Sequence, residues 1–273
     1  MKTILLAGLA AALLPFAASA ADWRTPDPAE TLVIDTTKGR IVVELAPLVA
    51  PAAVARVKLL AKEGVYDGLQ FHRVIAGFVA QTGNPGDRDG GTSDHPDLAP
   101  EFTFRLTPTV SAEVALVTQA SDGRTGFLGA MPIAAVSAGE QARARNGRVL
   151  AWGAYCPGVF GMGRQADPGT ANSEIFVMLD AARRLDRDYT PFGRVIAGMD
   201  VAQALAVGEP PESPDRMIRV ALAADLPEAE RPRLEVADPA GGLLQARIAA
   251  LRAQKGADFT VCDVEIPVRE TPR

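Results

Sequence analysis

The stretch of sequence that decides the fold reads Phe71-His-Arg-Val-Ile-Ala-Gly-Phe-Val-Ala-Gln-Thr-Gly-Asn-Pro85. It overlaps residues 68–82, which are rich in Phe, Val and Ile and therefore predict a strand. The glycines and aspartates of residues 83–95 predict a loop directly after it. The stretch thus places Arg73 and Gln81 on a short apolar strand that ends in a loop.

Two strands and a helix are predicted before this stretch. Residues Thr31 to Thr36 and Arg40 to Leu45 are β-branched runs on either side of a turn that ends in Gly39, which is the pattern of a β-hairpin. Pro51 suits the first turn of a helix, apolar residues then recur at helical spacing, and Gly64 can end that helix.

Three more strands, a second helix and a closing strand are predicted after it. Gly158 to Gly163, Ser173 to Leu179 and Tyr189 to Ala197 are short apolar runs separated by Pro, Gly and Asp turns. Met199 to Ala206 predicts the helix, and Arg216 to Ala224 predicts the last strand. Since strands dominate and the two helices stand far apart, the pattern favours a closed or nearly closed antiparallel β architecture.

Residues 105–157 interrupt this pattern and are interpreted as an insert. Glu113 to Thr118 predicts a strand, and the Ala-, Arg- and Glu-rich residues from Ser137 to Arg145 predict a short helix. The sequence leaves two roles open for this insert. It either covers or extends a binding groove, or it is a surface addition with no part in binding.

Residues 225–273 are interpreted as a C-terminal extension that contains both helix and strand. Apolar residues at helical spacing, among them Leu244 and Ile248, mark an amphipathic helix that Gly256 ends. Residues 259–268 predict one more strand. Residues 21–30 contain Pro and Asp without periodicity, so no element is predicted there.

The N-terminal residues predict an exported protein. Lys2, the apolar run that follows it and the small residues Ala18-Ser19-Ala20 are typical of a signal peptide over residues 1–20, cleaved after Ala20. No later run reaches the roughly 20 apolar residues of a membrane span. The net charge of −5 and the lack of basic runs argue against a nucleic-acid partner. We therefore expect a soluble periplasmic protein.

The sequence contains two cysteines, Cys156 and Cys262. An oxidising compartment permits one bridge, and the sequence leaves open whether the two pair. One hypothesis is that residues 226–273 pack back on the main domain and are joined to it by this bridge. Because the two histidines and two cysteines have no paired ligand spacing, no metal site is expected.

Three ordered blocks resemble the cyclophilin family of peptidyl-prolyl cis–trans isomerases. They are residues 71–85, residues 162–176, which end in Ser-Glu-Ile-Phe, and residues 185–200, which begin Leu-Asp-Arg-Asp-Tyr-Thr-Pro-Phe-Gly. With the opening hairpin and helix, the resemblance covers residues 31–224 apart from the insert. It implies a mainly β fold, an eight-stranded closed antiparallel barrel capped by two α-helices, and residues 225–273 add a small α/β extension.

The resemblance also implies a proline-binding site on the outer face of the barrel. Arg73, Phe78 and Gln81 match the catalytic positions of the family's motif, and neither a cofactor nor a metal is required. Tyr189 has two interpretations, because its ring either contacts substrate or anchors a loop. The residues at the family's substrate-binding positions are Val79, Gly163, Arg164, Glu174, Phe176, Leu185 and Tyr189.

These residue types suit the chemistry of proline isomerisation. Rotation about an Xaa-Pro bond breaks amide resonance and meets a barrier of roughly 18–20 kcal/mol. The guanidinium of Arg73 can donate hydrogen bonds to the twisted prolyl amide, and an apolar wall that includes Phe78, Phe176 and Leu185 excludes water and strengthens those bonds. The expected partners are proline-containing polypeptides, and we expect the protein to be a monomer.

Some residues depart from the family's pattern. Glu174 stands where Gln is usual and is predicted to form a salt bridge with Arg164 or Arg73, which would weaken catalysis. Gly163 and Arg164 fall in a run that binds peptide backbone in the family. Arg184 stands where some relatives have Trp, so tight cyclosporin binding is not expected. A second function therefore stays open, that of a weakly active or inactive proline-binding chaperone or scaffold.

Overall fold

The computed structural model describes residues 22–87, 90–121, 123–143 and 148–272. The expected signal peptide over residues 1–20 and the end of the predicted helix at residues 137–145 lie outside these ranges. The described chain forms three antiparallel sheets and five α-helices.

The strands and helices have the following bounds. The strands are β1 (Trp23–Arg24), β2 (Thr31–Thr36), β3 (Gly39–Leu45), β4 (Arg73–Ile75), β5 (Val79–Thr82), β6 (Phe104–Leu106), β7 (Ala115–Gln119), β8 (Gly123–Leu128), β9 (Met131–Val136), β10 (Val149–Gly153), β11 (Val159–Met162), β12 (Ile175–Met178), β13 (Pro191–Ala197), β14 (Met217–Leu222), β15 (Leu234–Ala237) and β16 (Val268–Glu270). The helices are α1 (Pro51–Lys62), α2 (Pro108–Ala112), α3 (Ala138–Ala142), α4 (Met199–Gln203) and α5 (Gly242–Lys255).

The largest sheet has eight strands in the order β14-β2-β3-β13-β11-β12-β5-β4. Its opening hairpin is the predicted one, and the pairing of β2 with β3 sets Leu32 opposite Val43 and Ile34 opposite Ile41. Alternate residues of a strand face the same side of a sheet, so these four side chains enter one core. They share it with Val57 of α1.

Residues 68–82, predicted as one strand, form a hairpin instead. A turn between β4 and β5 contains Gly77 at a φ of 64°, a left-handed value that suits glycine. The antiparallel pairing of the two strands then places Arg73 opposite Gln81.

The predicted closed barrel is wrong, because the sheet is a curled, open half-barrel. Its edges, β4 and β14, form no continuous ladder within the described chain. Isolated bridges between Gln70 and Arg216 and between Val74 and Gly208 lie along this open side. β4 has only three residues, and the chain before it turns, with Gly68 at a φ of 80°. Too few extended residues therefore face β14 for continuous pairing.

α1 and α4 correspond to the two predicted helices. α1 has Pro51 in its first turn, and Gly64 follows its end at a φ of 69°. α4 ends at Gln203, before the predicted end at Ala206. α3 and α5 lie in the predicted insert and in the C-terminal extension, and α2 is a helix that was not predicted. None of the helices within the described ranges is long and apolar enough to cross a membrane.

Residues 105–157 contribute most of a five-stranded sheet with the order β6-β10-β9-β8-β7. The strand predicted at Glu113 to Thr118 is observed as β7, and the helix predicted at Ser137 is observed as α3, whose first turn the Ser137 hydroxyl caps. Phe127 of this sheet lies in the same apolar cluster as Phe176 of β12. The five-stranded sheet therefore packs against the face of β12 that carries Phe176. The boundaries of the insert stay a prediction.

The chain after residue 225 contains the predicted helix as α5, which ends at Lys255 and has Gly256 as its C-cap. The strand predicted over residues 259–268 is wrong, because 3₁₀ turns occupy residues 256–258 and 261–263 and β16 begins only at Val268. The second turn is fixed by a capping box between Thr260 and Asp263.

The residues before the opening hairpin, for which no element was predicted, pair with the far end of the chain. β1 pairs with β15, and β15 pairs with β16, which gives a three-stranded sheet. Trp23 lies opposite Ala237 in this sheet. A two-residue strand has no stability of its own, so its partner strand is what orders it.

A disulfide and a buried arginine tie the C-terminal residues to the two larger sheets. Cys156 is bonded to Cys262, with 4.8 Å between their Cα atoms. The guanidinium of Arg194 on β13 donates to the carbonyl oxygens of Ala130 at 3.5 Å and Val264 at 3.3 Å. Burial lowers the pKa of Arg194 to about 10. Each of these links joins segments that are distant in sequence.

Candidate active site

A depression of about 220 Å³ lies over the β4–β5 hairpin and β12. The structure brings into it all ten residues that were selected from the sequence, and their roles stay predictions. The residues that line the depression are Arg73, Phe78, Val79, Gln81, Gly163, Arg164, Glu174, Phe176, Leu185 and Tyr189.

The strand register explains why residues from two distant blocks meet here. β4 sets Arg73 opposite Gln81 of β5, and β12 sets Phe176 opposite the same Gln81. Residues directly opposite each other in antiparallel strands point to the same face of a sheet. Arg73, Gln81 and Phe176 therefore form one cross-strand row.

A chain of hydrogen bonds connects Arg73 and Gln81 of this row to an acidic residue on each side of the pair. Nε of Arg73 donates to Oε2 of Glu209 at 2.7 Å, and Nη1 of Arg73 donates to Oε1 of Gln81. Nε2 of Gln81 then donates to Oε1 of Glu174 at 2.7 Å. Charge-assisted bonds of this kind hold the Arg73 guanidinium in one orientation.

The predicted salt bridge from Glu174 to Arg164 or Arg73 is wrong, because Glu174 accepts from Gln81 instead. Both arginines have other carboxylate partners. Arg73 pairs with Glu209 at 2.7 Å, and Arg164 pairs with Asp188 at 2.8 Å. The amide of Gln81 is then the donor left for Glu174.

Gly163 gives Glu174 its place in the depression. A Cβ atom on Gly163 would lie 2.3 Å from Oε1 of Glu174, far inside van der Waals contact. Because Gly163 has no side chain, the Glu174 carboxylate can lie directly against its backbone, just after the end of β11.

The floor of the depression is aromatic. Phe176 is 4% exposed, stacks on Tyr155 at 5.8 Å between ring centres, and meets the edge of Tyr189 at 5.7 Å. Burial, followed by the nearby Asp186 carboxylate, raises the pKa of Tyr155 well above its ordinary value. The ring beneath Phe176 is therefore neutral and apolar in character, and it supports the floor from below.

Tyr189 and Arg164 form the opposite wall. The guanidinium of Arg164 lies 4.4 Å from the ring centre of Tyr189, while its Nη2 donates to Oδ1 of Asp188 at 2.8 Å. This cation–π contact and ion pair hold the Tyr189 ring at the edge of the depression. The loop-anchoring interpretation of Tyr189 and the substrate-contact interpretation are thus compatible.

Two residues of this site were missed by sequence reasoning. Glu209 lies 136 positions after Arg73, in a loop with no motif, and no sequence signal pairs them. Tyr155 lies in the segment interpreted as an insert, so its contact with Phe176 was not expected. Within the described ranges, no group of three or more His, Cys, Asp or Glu side chains is placed to hold a metal ion.

Comparison with known proteins agrees with the sequence blocks and with this geometry. The family model for cyclophilin type peptidyl-prolyl cis-trans isomerase/CLD matches residues 31–222. The chain belongs to this family. All the residues that line the depression, and Glu209 beside it, fall within the matched part of this cyclophilin.

Two relatives of this cyclophilin are named for the enzyme. The "Probable peptidyl-prolyl cis-trans isomerase" of Brucella suis biovar 1 is 29% identical over 215 residues, covering 73% of this chain and 85% of the relative. The "Peptidyl-prolyl cis-trans isomerase" of Helicobacter pylori strain J99 is 55% identical over 62 residues, covering 23% of this chain and 38% of the relative. As a member of the family, this cyclophilin is a peptidyl-prolyl cis–trans isomerase and acts on polypeptides.

A solved structure is similar over nearly the whole chain. Cyclophilin AquaCyp293 from Hirschia baltica matches with a TM-score of 0.82 and 33% sequence identity, covering 93% of this chain and 96% of that chain. The similarity shows that this cyclophilin has the mainly β fold of the family, with a curled antiparallel sheet.

Proposed function

We propose that this cyclophilin accelerates the rotation of Xaa-Pro bonds in exported proteins while they fold. The observation that carries the proposal is the position of Arg73, whose guanidinium borders an apolar depression and is held there by Glu209 and Gln81. Phe176 would lie under the pyrrolidine ring of the substrate, and Phe78 beside it.

Arg73 keeps hydrogen-bond donors free for the substrate. A guanidinium carries five N–H donors, and the two bonds to Glu209 and Gln81 use Nε and Nη1. Nη2 has no hydrogen-bond partner in the described part of the chain. It can donate to the prolyl amide as the bond twists, where it stabilises the nitrogen lone pair that resonance has released.

The apolar lining strengthens this interaction. Phe78, Phe176 and Leu185 give part of the lining an apolar surface, and a bound proline would displace water from it. An electrostatic interaction is stronger where water is excluded. The site therefore needs no nucleophile or general base to lower the rotation barrier.

One observation favours a second function, that of a proline-binding chaperone or scaffold with little turnover. Gln81 uses Oε1 for Arg73 and Nε2 for Glu174, so both of its polar atoms are engaged. These two bonds leave Gln81 one lone pair on Oε1 and one N–H on Nε2 for the substrate backbone, and they fix the directions in which Gln81 can use them. Binding of proline peptides without rate acceleration is the result that this second function predicts.

The proposal places the protein in the periplasm as a monomer. The signal pattern over residues 1–20 supports export, and the Cys156–Cys262 disulfide is of a kind that persists in oxidising compartments. Fractionation of cells that express the full chain with a C-terminal tag tests the compartment. Recovery from the periplasm with Ala21 as the first residue would support it, and a cytoplasmic chain of full length would contradict it.

The isomerase mechanism is tested by prolyl isomerisation of a short peptide by the wild type and by Arg73→Ala. We expect kcat/KM to fall about 100-fold, the size that loss of one preorganised donor causes in enzymes. Arg105→Ala is the matched control, because Arg105 is an exposed arginine of β6 outside the depression. Wild-type activity is expected for it.

The outcomes separate the two functions. Acceleration that Arg73→Ala abolishes supports the enzyme and its electrostatic mechanism. Peptide binding by a folded wild type without acceleration supports the scaffold instead. Activity that survives Arg73→Ala would show that another group carries the reaction.

A further inference from the structure

Two arginines that have no acidic partner within the described ranges stand beside the candidate active site. The guanidinium of Arg184 lies 4.5 Å from the ring centre of Phe78, and that of Arg187 lies 5.1 Å from the ring centre of Trp152. Both arginines are exposed, and neither forms a salt bridge with any residue of the described ranges. We call Phe78, Trp152, Arg184 and Arg187 the stacked-arginine rim.

The acidic residues of the same loop are already engaged. Oδ2 of Asp186 accepts from Arg183 at 2.6 Å, and Oδ1 of Asp188 accepts from Arg164 at 2.8 Å. Asp180 accepts from the backbone N–H that follows it. The two positive charges of the rim are therefore left for a ligand.

The loop that carries these arginines is fixed to the five-stranded sheet. Oδ1 of Asp186 accepts from the backbone N–H of Tyr155 at 2.9 Å, and its Oδ2 accepts from the indole of Trp152 at 3.3 Å. Arg187 has a φ of 63°, a left-handed value that is unfavourable for a residue other than glycine. Such a conformation persists where the surrounding structure enforces it, and it is often found at functional sites.

The rim is continuous with the proline-binding depression. Phe78 lines the depression and also carries the stacked guanidinium of Arg184. Neighbouring residues of an extended peptide are about 3.8 Å apart between Cα atoms, so a residue next to a proline bound against Phe78 comes close to the guanidinium of Arg184, which lies 4.5 Å from that ring centre.

We propose that the stacked-arginine rim binds the carboxylate of an acidic residue next to the substrate proline, so that the enzyme prefers peptides with Glu or Asp there. Stacking on an aromatic ring holds a guanidinium flat and leaves its N–H edge free, and that edge matches the geometry of a carboxylate. The proposal rests on the isomerase function proposed above and adds a substrate class to it.

The test compares peptides that differ only in the residue before or after the proline, which is Glu, Gln or Lys. We expect the wild-type kcat/KM for the better-placed Glu peptide to exceed that for its Gln counterpart by about fivefold at low ionic strength, an effect typical of an exposed ion pair. The Lys peptide is expected to be the poorest substrate. High ionic strength should reduce these differences, since both charges are exposed to solvent.

The variants Arg184→Gln and Arg187→Gln connect the preference to the rim. We call the kcat/KM for the Glu peptide divided by that for the Gln peptide the Glu-to-Gln ratio. Each single variant is expected to lower this ratio part of the way towards one, and the double variant is expected to lower it to about one. Because each single change already moves the ratio, the test does not depend on the folding of the double variant. Arg105→Gln removes the same charge from an exposed site outside the depression and should leave the ratio unchanged.

Three results would overturn the subsite: a wild-type ratio near one, a ratio that survives in the double variant, or an equal fall in Arg105→Gln. A different result would contradict the isomerase proposal, namely a wild type that does not accelerate prolyl isomerisation of any of the peptides. Normal acceleration of the Gln peptide with a ratio of one would keep the enzyme and remove only the subsite.

Discussion

Arg73 is held between two other side chains that decide how it meets the substrate. Glu209 takes its Nε, and Gln81 takes its Nη1 and is itself bonded to Glu174. Nη2 has no hydrogen-bond partner within the described ranges, so its N–H groups are left for the substrate. The orientation of this one group thus depends on a loop residue that the motif does not include.

Glu209→Ala is expected to lower kcat/KM by about two- to fivefold, mainly through kcat, because an exposed ion pair contributes modestly and Arg73 loses part of its orientation. The same change made in the Arg73→Ala background completes a double-mutant cycle and should cause no further loss. Glu212→Ala, at an exposed acid of the same loop, is the control and should behave as the wild type. Equal losses in both backgrounds would contradict a positioning role.

Strand register is what turns separate motif residues into a site. Arg73, Gln81 and Phe176 share a row because β4, β5 and β12 pair in one particular alignment. A slip of one residue would move a strand's side chains to the other face of the sheet. The elements that hold this alignment therefore matter as much as the site residues.

Asp35 links three strands of this sheet. Its carboxylate on β2 accepts from Arg40 on β3 at 2.7 Å and from Arg219 on β14 at 3.0 Å. Burial by itself would raise the pKa of Asp35, but the hydrogen bonds and charges of the two arginines outweigh burial and hold the pKa below its usual range. The folded protein therefore favours the ionised form.

Asp35→Asn is expected to lower the free energy of unfolding at neutral pH. The variant should then lose less of that free energy than the wild type when the pH is lowered. The unfolded chain protonates Asp35 near its ordinary pKa of 3.8, whereas the folded chain does so only at lower pH. The stabilising contribution is therefore present above that value and is lost as the pH falls through the folded pKa. Denaturant midpoints at neutral and acidic pH measure it. Asp258→Asn, at an exposed aspartate, is the control, and identical pH profiles for wild type and Asp35→Asn would contradict the assignment.

The whole molecule is held together where its three sheets meet. Glu44 of β3 accepts from Arg24 of β1 at 2.8 Å and from the backbone N–H of Ala130, between β8 and β9, at 3.1 Å. One carboxylate thus contacts all three sheets. The Cys156–Cys262 disulfide and the Arg194 guanidinium add covalent and polar links at the same junction.

The double variant Cys156→Ser/Cys262→Ser is expected to lower the free energy of unfolding by about 2–5 kcal/mol, because the bridge closes a long loop and restricts the unfolded chain. The two cysteines are 106 positions apart. Urea midpoints with and without reductant measure the effect. Reductant should destabilise the wild type and leave the variant unchanged, and a wild type that is indifferent to reductant would contradict a stabilising bridge.

Much of the site could be predicted from sequence because its residues lie in short blocks. Arg73, Phe78 and Gln81 lie in one block that resembles the family's motif, so the resemblance located them although the hairpin that sets Arg73 opposite Gln81 was not predicted. The second and third blocks could be placed by resemblance, which located Phe176 and Leu185 in the same depression. The hairpin turn at Gly77 was missed, since Gly is compatible with both a strand and a turn.

The sequence by itself determined the family, the mainly β fold and the set of residues that share the depression. Only the tertiary structure decided that the sheet stays open, that Glu209 reaches Arg73, that Cys156 pairs with Cys262, and that β1 joins β15. The last three of these features join segments far apart in the chain. Such contacts form only when the packing of the whole molecule outweighs the entropy lost on closing long loops, and no local pattern records that balance.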